Sequence, residues 1–502
     1  MTKNLTVGAP ARLIILFTVP LLIGNLFQQL YLFTDAAVVG RILGVDALAA
    51  VGATGSLIFL LIGFTWGSSA GLTIPVARAF GAGDMAQMRR FVVAGAYISL
   101  GIAAFITVAG TLSARAMLTF LRTPPELIAQ STGFLLVTFG GSAVTVAFNY
   151  LSSVIRALGD SRTPLVFLVI ACVLNAGLSA GFVGLLHLGV PGAALATVVA
   201  QGVAVTLCLR LIHTRMPALH ISRHEWRARF DDMAEPARMG LTMGFQTSII
   251  AVGSMVLQYA VNGLGPMAIA AFTAAARVDQ VAAAPLNSFG IALSTFAAQN
   301  RGARQWRRIR TGVFQIGALS VGLALALGTV NIVLGTRLVG LFIGHGEAAV
   351  IAMAHEYLIV QGATYGLLAV LFVLRGTIQG MGWSGVPTLA GVMELVLRAL
   401  AGLLLVTSFG FLGVCWASPL AWAGSLAALV PAWVVMRRRL IAAEAHPILG
   451  TPVVAKAAPA STPDTTADDR AIAAVPALAR LRGKASTTAT LHPERVLVDT
   501  LA

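Results

Sequence analysis

The chain has 502 residues, 57% of them hydrophobic and only 11% charged, with a mean hydropathy of +0.86 and a formal net charge of +15. Soluble domains carry about 25% charged residues, so the composition excludes a soluble protein and points to an all-α integral membrane protein with many spans, its partner the lipid bilayer. The positive charge reads as the arginine excess that gathers on one side of a membrane; no nucleic-acid partner is expected.

In chain order, the first apolar run, Leu13 to Phe33, reads as a membrane helix rather than a signal peptide, because it is long, carries Pro20, leads into Asp35 and meets no small-residue cleavage pattern. About 20 apolar residues cross the hydrocarbon. Twelve such runs follow one another, centred near residues 25, 61, 102, 139, 173, 200, 250, 285, 323, 363, 396 and 424. Sorting the basic residues onto the loops leaves only Arg41, Arg115, Arg122 and Arg337 outside, with Arg277 and Arg398 inside spans. Every other Lys and Arg falls on the side of the two termini, which predicts that both are cytoplasmic. Cys172, Cys208 and Cys415 all fall in apolar runs and read as small packing residues with no disulfide framework.

The chain also repeats itself. GVDALAAVGA at 44–53 lies over GPMAIAAFTA at 265–274, a shift of 221 residues, and at the same shift ARAFGA at 77–82 lies over AQNRGA at 298–303. RALGDSRTP from Arg156 lies over QGMGWSGVP from Gln379 at a shift of 223, and Gly189 and Gly192 lie over Gly410 and Gly413. Six spans return the chain to its starting side, so the expected architecture is two six-helix lobes related by a pseudo-twofold axis along the membrane normal. The expected domains are a first lobe at 1–212, a basic, soft cytoplasmic linker at 213–236, a second lobe at 237–439 and a cytoplasmic, mostly disordered tail at 440–502, rich in Ala, Pro and Thr, with room for a short amphipathic helix around Ala471 to Leu481.

Several stretches resemble one family. LTVGAPARLIILFTVPLLIGNLFQQLYLFTDAAVVGRILGVDALAAVG resembles the first two spans of the multidrug and toxic compound extrusion transporters, nearest to their DNA-damage-inducible-protein-F-like branch. AIAAFTAAARVDQVAAAPLNSFGIALSTFAAQNRGA resembles their eighth span, and VIRALGDSRTP the loop between spans four and five. The resemblance runs from about residue 5 to about residue 437. It implies two lobes forming a V and export of amphipathic, often cationic compounds, driven by entry of protons or sodium ions, with no cofactor and no enzymatic activity.

Asp35 is the residue that asks for a reason, since a charge in hydrocarbon costs about 2.5 kcal/mol or far more. Gln28, Tyr31 and Asp35 are spaced to share one helix face, where Gln28 and Tyr31 can hydrogen-bond or shelter the acid. The plainer reading is an acid reaching the outer surface near the end of its span. A buried carboxyl can also load and release a proton, and in the resembled family this position binds the coupling ion. The family pattern in the fifth span, an Asn followed four residues later by an Asp, is met by Asn175 and then by Ser179, so the second carboxylate is missing. Thr197 stands at the family's hydroxyl position in the sixth span. A sodium ion at Asp35, Asn175 and Thr197, with Ser179, would have several oxygens but one charge, whereas a proton needs one carboxyl. Proton coupling is therefore the expectation, with sodium the second.

At the 221 shift Asp35 falls on Val256, so the acid has no copy in the second lobe. That lobe instead carries Arg277 and Asp279, two apart and expected to pair with other helices, and Glu394 and Arg398, four apart on one face and expected to neutralise each other. Glu394 is the best acid for a cationic substrate if it gates or recognises one. Pro20 is a candidate hinge beside Asp35; Pro164, Pro285 and Pro387 read as structural. Met239, Met243, Met255 and Met267 are candidates for an adaptable substrate surface.

No metalloprotease, hydrolase-elbow or nucleotide-binding motif occurs, nor a pair of intramembrane aspartates. A lipid-linked precursor flippase would want a strongly basic cavity, which only Arg277 and Arg398, each accompanied by an acid, do not supply. A passive channel would need no two-lobe repeat. The bias to Arg over Lys fits a GC-rich bacterial genome and a bacterial inner membrane; a monomer is expected.

Overall fold

A computed structural model describes residues 4–121, 123–226, 230–343 and 348–445, and all regular structure among them is helical. The first half runs through α1 (Pro10–Leu43), α2 (Val45–Leu72), α3 (Ile74–Ala82), α4 (Met85–Phe120), α5 (Pro125–Gly140), α6 (Ser142–Ala157), α7 (Arg162–Ala180) and α8 (Gly189–Arg215). The second half runs through α9 (Phe230–Asn262), α10 (Pro266–Gly302), α11 (Trp306–Ile343), α12 (Ala348–Gly380), α13 (Gly385–Leu400), α14 (Val406–Phe409) and α15 (Phe411–Ala445). Among the described residues eleven helices are long and apolar enough to cross a membrane, and α5 with α6, bent by 47° at their junction, brings the number to twelve if the pair is one span. The expected amphipathic helix at Ala471 to Leu481 lies outside the described residues.

Helices are what an apolar chain must form in hydrocarbon, where each backbone N–H and C=O needs an internal partner. Their starts are marked locally. Proline opens α1, α5 and α10, where its missing N–H has no intrahelical partner to lose. Asp84 caps α4 by accepting the Gln87 amide at 2.8 Å.

The repeat is written into the backbone. Left-handed residues recur at the shifts found in the sequence: Gly44 with Gly265, Gly159 with Gly382, Gly189 with Gly410, and Gly83 (φ 76°) with Arg304 (φ 55°). Glycine adopts this conformation freely, whereas Arg304 holds it with a Cβ. A π-helical turn closes α7 at Gly181–Leu185 and another closes α13 at Ala401–Leu405. Gly81 on α3 lies against the backbone of Gln299 on α10, and its repeat mate Gly302 lies against the backbone of Arg78 on α3. This reciprocal contact is what a pseudo-twofold axis between the halves produces.

The first helix of each half crosses between them. Ile14, Phe17 and Leu21 of α1 are buried with Leu286, Phe296 and Ile309 of the second half, while Val39 at its other end is buried with Phe134, Val183 and Val190 of the first. Its mate α9 does the reverse, with Met239 in the first half's core and Leu257 and Val261 in the second's. α2 packs on α9, and α1 and α3 pack on α10.

The joint between the halves is less soft than its composition suggests. Glu225 accepts a hydrogen bond from Arg89 Nε at 2.7 Å, Tyr97 donates to the Trp226 carbonyl at 3.1 Å, and Arg78 grips Glu235 with both terminal nitrogens at 2.6 and 2.7 Å. The Ser222 amide and Arg89 hold the Glu225 carboxyl below its ordinary range. The linker's Glu225 and Glu235 side chains and its Trp226 carbonyl find partners on α3 and α4, which tie the linker down.

Candidate functional site

Asp35 does not reach outward. α1 turns its carboxylate toward α7 and α8, where Thr197 Oγ1 donates to Asp35 Oδ2 at 3.0 Å and Asn175 Nδ2 donates to Thr197 Oγ1 at 3.1 Å. The hydroxyl has one proton to give and a lone pair to receive with, so Asn175, Thr197 and Asp35 form a directed chain. Asn175 and Ser179 are both fully buried, at 0% exposure. Asp35 Oδ1, Asn175 Oδ1 and Ser179 Oγ are buried oxygens with no hydrogen bond to any described residue. Buried polar atoms are nearly always satisfied, and three of the unsatisfied oxygens among the described residues belong to residues singled out from the sequence.

The supporting face divides. Tyr31 is buried beside the site, and its hydroxyl reaches the Thr197 carbonyl at 3.4 Å rather than the acid. Gln28, one turn earlier, faces the central cavity. Pro20 also lines that cavity, and α1 runs unbroken through it. Fifteen residues separate it from Asp35, about 22 Å along the helix, so it does not stand beside the acid as the sequence reading had it.

In the second half the charges sort differently. Arg398 Nη2 donates to Glu394 Oε1 at 3.1 Å, the i,i+4 pair read from the sequence. Arg375 Nη2 on α12 takes the other oxygen at 2.7 Å, and Ser425 of α15 lies 3.4 Å from it. Glu394, 4% exposed, is thus saturated by two guanidiniums and is not open to a cationic substrate. Arg375 corrects the assignment of buried arginines to Arg277 and Arg398 alone. It sits within α12 near the end of an apolar run, and only the packing of α12 on α15 beside α13 brings it to Glu394. Asp279 pairs with another helix, accepting from the Tyr365 hydroxyl at 2.6 Å, to which Asn331 Nδ2 donates at 2.8 Å. Arg277 lies exposed on a different face of α10.

Between the halves lies a cavity of about 240 Å³. Its wall combines amides and hydroxyls, such as Asn149, Gln246, Asn287 and Thr295, with the rings of Trp66, Phe148 and Phe372. Of the four methionines only Met243 reaches it; Met239 is fully buried in packing and Met267 is exposed. Arg156 and Arg375 also line it, and among the described residues no Asp or Glu does. The sequence reading missed Arg156 because it counted this residue with a loop, whereas α6 extends to Ala157 and turns the side chain inward. Among the described residues no group of three or more His, Cys, Asp or Glu gathers to hold a metal ion.

Comparison with known proteins agrees with this geometry. The sequence model of the MatE family matches residues 20–180 and again 243–428, once per half. The chain is 29% identical over 381 residues to "Probable multidrug resistance protein YpnP" of Bacillus subtilis, covering 76% of this chain and 84% of that protein. It is 27% identical over 359 residues to "DNA damage-inducible protein F" of Escherichia coli, covering 68% of this chain and 74% of the other. Its fold matches the outward-facing conformation of a multidrug resistance MATE family transporter with a TM-score of 0.80 at 20% identity, over 88% of this chain and 99% of that one. The chain belongs to the MatE family, the multidrug and toxic compound extrusion transporters, and is a multi-pass membrane transporter rather than an enzyme.

Proposed function

We propose that the protein is a proton-coupled antiporter that exports amphipathic small molecules by alternating access, with Asp35 as the proton carrier. One observation supports this most: Asp35 is fixed through Oδ2 by Thr197 while buried Oδ1 stays without a donor. A proton at Oδ1 would change the charge of the site without adding a ligand. In the cycle, Asp35 takes a proton from outside, the first lobe rearranges, substrate leaves outward, and the lobes reverse as the proton leaves inside. α1 links the two events, because one of its ends holds Asp35 and the other is buried in the second half. An inward proton gains about 2.3 kcal/mol per 100 mV from the membrane potential. Multidrug resistance is named for relatives such as YpnP, and an orientation with both termini inside fits the arginine distribution.

Sodium is the second reading, favoured by the same unsatisfied oxygens on Asp35, Asn175 and Ser179, and disfavoured by their single charge. The test uses purified protein in liposomes with an imposed pH or sodium gradient, following ethidium and the anionic dye carboxyfluorescein in wild type and Asp35→Asn. Transport driven by the pH gradient and lost in Asp35→Asn is the expected result. Drive by sodium alone would assign the site to that ion. If Asp35→Asn transports as wild type does, Asp35 is not the coupling group.

A further inference from the structure

The central cavity is polar, yet its charge is one-sided. Arg156 and Arg375 line it without a carboxylate, but the two arginines differ. Arg375 already has an ion-pair partner, Glu394 at 2.7 Å, which it shares with Arg398. Arg156 has a single side-chain hydrogen bond, from Nη2 to Ser153 Oγ at 2.7 Å, and meets no acid among the described residues within ion-pairing distance. A guanidinium carries five N–H donors. One hydroxyl leaves most of them, and the whole charge, unanswered in the interior of a membrane protein, where cations are almost always paired or line a path for something charged.

The repeat sharpens the point. The mate of Arg156 is Gln379, which lines the same cavity but is neutral and donates to Gln246 Oε1 at 2.8 Å. The pseudo-twofold therefore does not demand a cation here; one half carries it and the other does not. The rings of Trp66, Phe148 and Phe372 supply apolar wall on the same cavity. The wall combines a cationic fork, neutral amides and aromatic rings. It suits a molecule with an apolar body and a carboxylate, phosphate or sulfonate that Arg156 can take through two parallel hydrogen bonds. A cationic molecule would meet like charge and no acid.

We propose that Arg156 is the anchor of a substrate subsite in the central cavity that takes the anionic group of an amphipathic solute. This deepens the transport reading and rests on the cavity being the export path. Binding is measured without any ion gradient, so failure of proton coupling at Asp35 leaves the outcome untouched.

The probes are carboxyfluorescein and ethidium, titrated against the full-length protein in detergent with fluorescence polarisation as readout. Arg156→Gln should weaken carboxyfluorescein binding about tenfold or more, the loss expected for a charge-assisted pair of hydrogen bonds, and should leave ethidium binding no weaker. Arg156→Lys, which keeps the charge, should recover most of the affinity. Thermal unfolding of both variants establishes that they are folded. Unchanged carboxyfluorescein affinity in Arg156→Gln, or equal loss of both dyes, would overturn the assignment. So would displacement of the dye by phosphatidylglycerol added to the micelles, which would give the subsite to a lipid headgroup.

Discussion

Replacing Glu394 by Gln probes the buried charges of the second half most directly. Glu394 lies between Arg375 at 2.7 Å and Arg398 at 3.1 Å, and among the described residues no other acid is within ion-pairing distance of either. Glu394→Gln keeps the shape and takes from both guanidiniums the acid within ion-pairing distance. Breaking a buried ion pair by removing one partner costs about 3–5 kcal/mol. For a chain of this size 1 kcal/mol corresponds to roughly 1 °C, so Tm in detergent should fall by about 3–5 °C. The structure also predicts an order. Arg375→Gln or Arg398→Gln leaves a neutral pair behind and should cost less than Glu394→Gln. The assay is thermal unfolding followed by tryptophan fluorescence, with transport measured on the same preparations. If Glu394→Gln melts within about 1 °C of wild type, or either arginine variant is the less stable, the electrostatic account of the cluster is wrong. An unchanged Tm with lost transport would make Glu394 a gating group instead.

Two further outcomes follow from local geometry. Arg304 holds a left-handed backbone at φ 55° where its mate Gly83 holds φ 76°, and that conformation costs a residue with a Cβ about 1–2 kcal/mol. Arg304→Gly should raise the melting temperature by about 1 °C and Gly83→Ala should lower it by a similar amount. Glu225 ties the linker to α4 through a carboxyl held below its ordinary range by the Ser222 amide and Arg89. A depressed folded-state value means that the tie is present above the ordinary carboxylate range and is lost as pH falls through the folded value, below about 4.5. Hydrogen exchange at residues 219–226, corrected for intrinsic rates, should rise on acidification below that point and should already be high in Arg89→Ala at neutral pH.

Much of this protein is legible in the chain alone. The twelve apolar runs become eleven spanning helices and the bent α5–α6 pair because a backbone in hydrocarbon has no alternative to the helix, and run length is set by membrane thickness. The repeat is equally plain, since the residues that match across the halves are largely those the backbone constrains. Gly44 and Gly265 must hold left-handed turns, and Gly81 and Gly302 must let two backbones touch. Asp35 also announces itself, because a carboxylate amid apolar residues is costly and rare, and the family pattern carries Asn175, Ser179 and Thr197 to its side. What the chain cannot express is helix rotation. A membrane helix is apolar all round, so periodicity does not say which face meets the partner helix, the lipid or a cavity. Only the packed helices send Gln28 into the cavity and Tyr31 toward Thr197. Only they bring Arg375 to Glu394 across 19 positions of sequence, and bury one end of α1 in the opposite half. Arg156 sits at the end of its helix, where spacing does not separate a loop arginine from a cavity arginine. That distinction depends on which atoms lie across the gap, and tertiary structure alone supplies them.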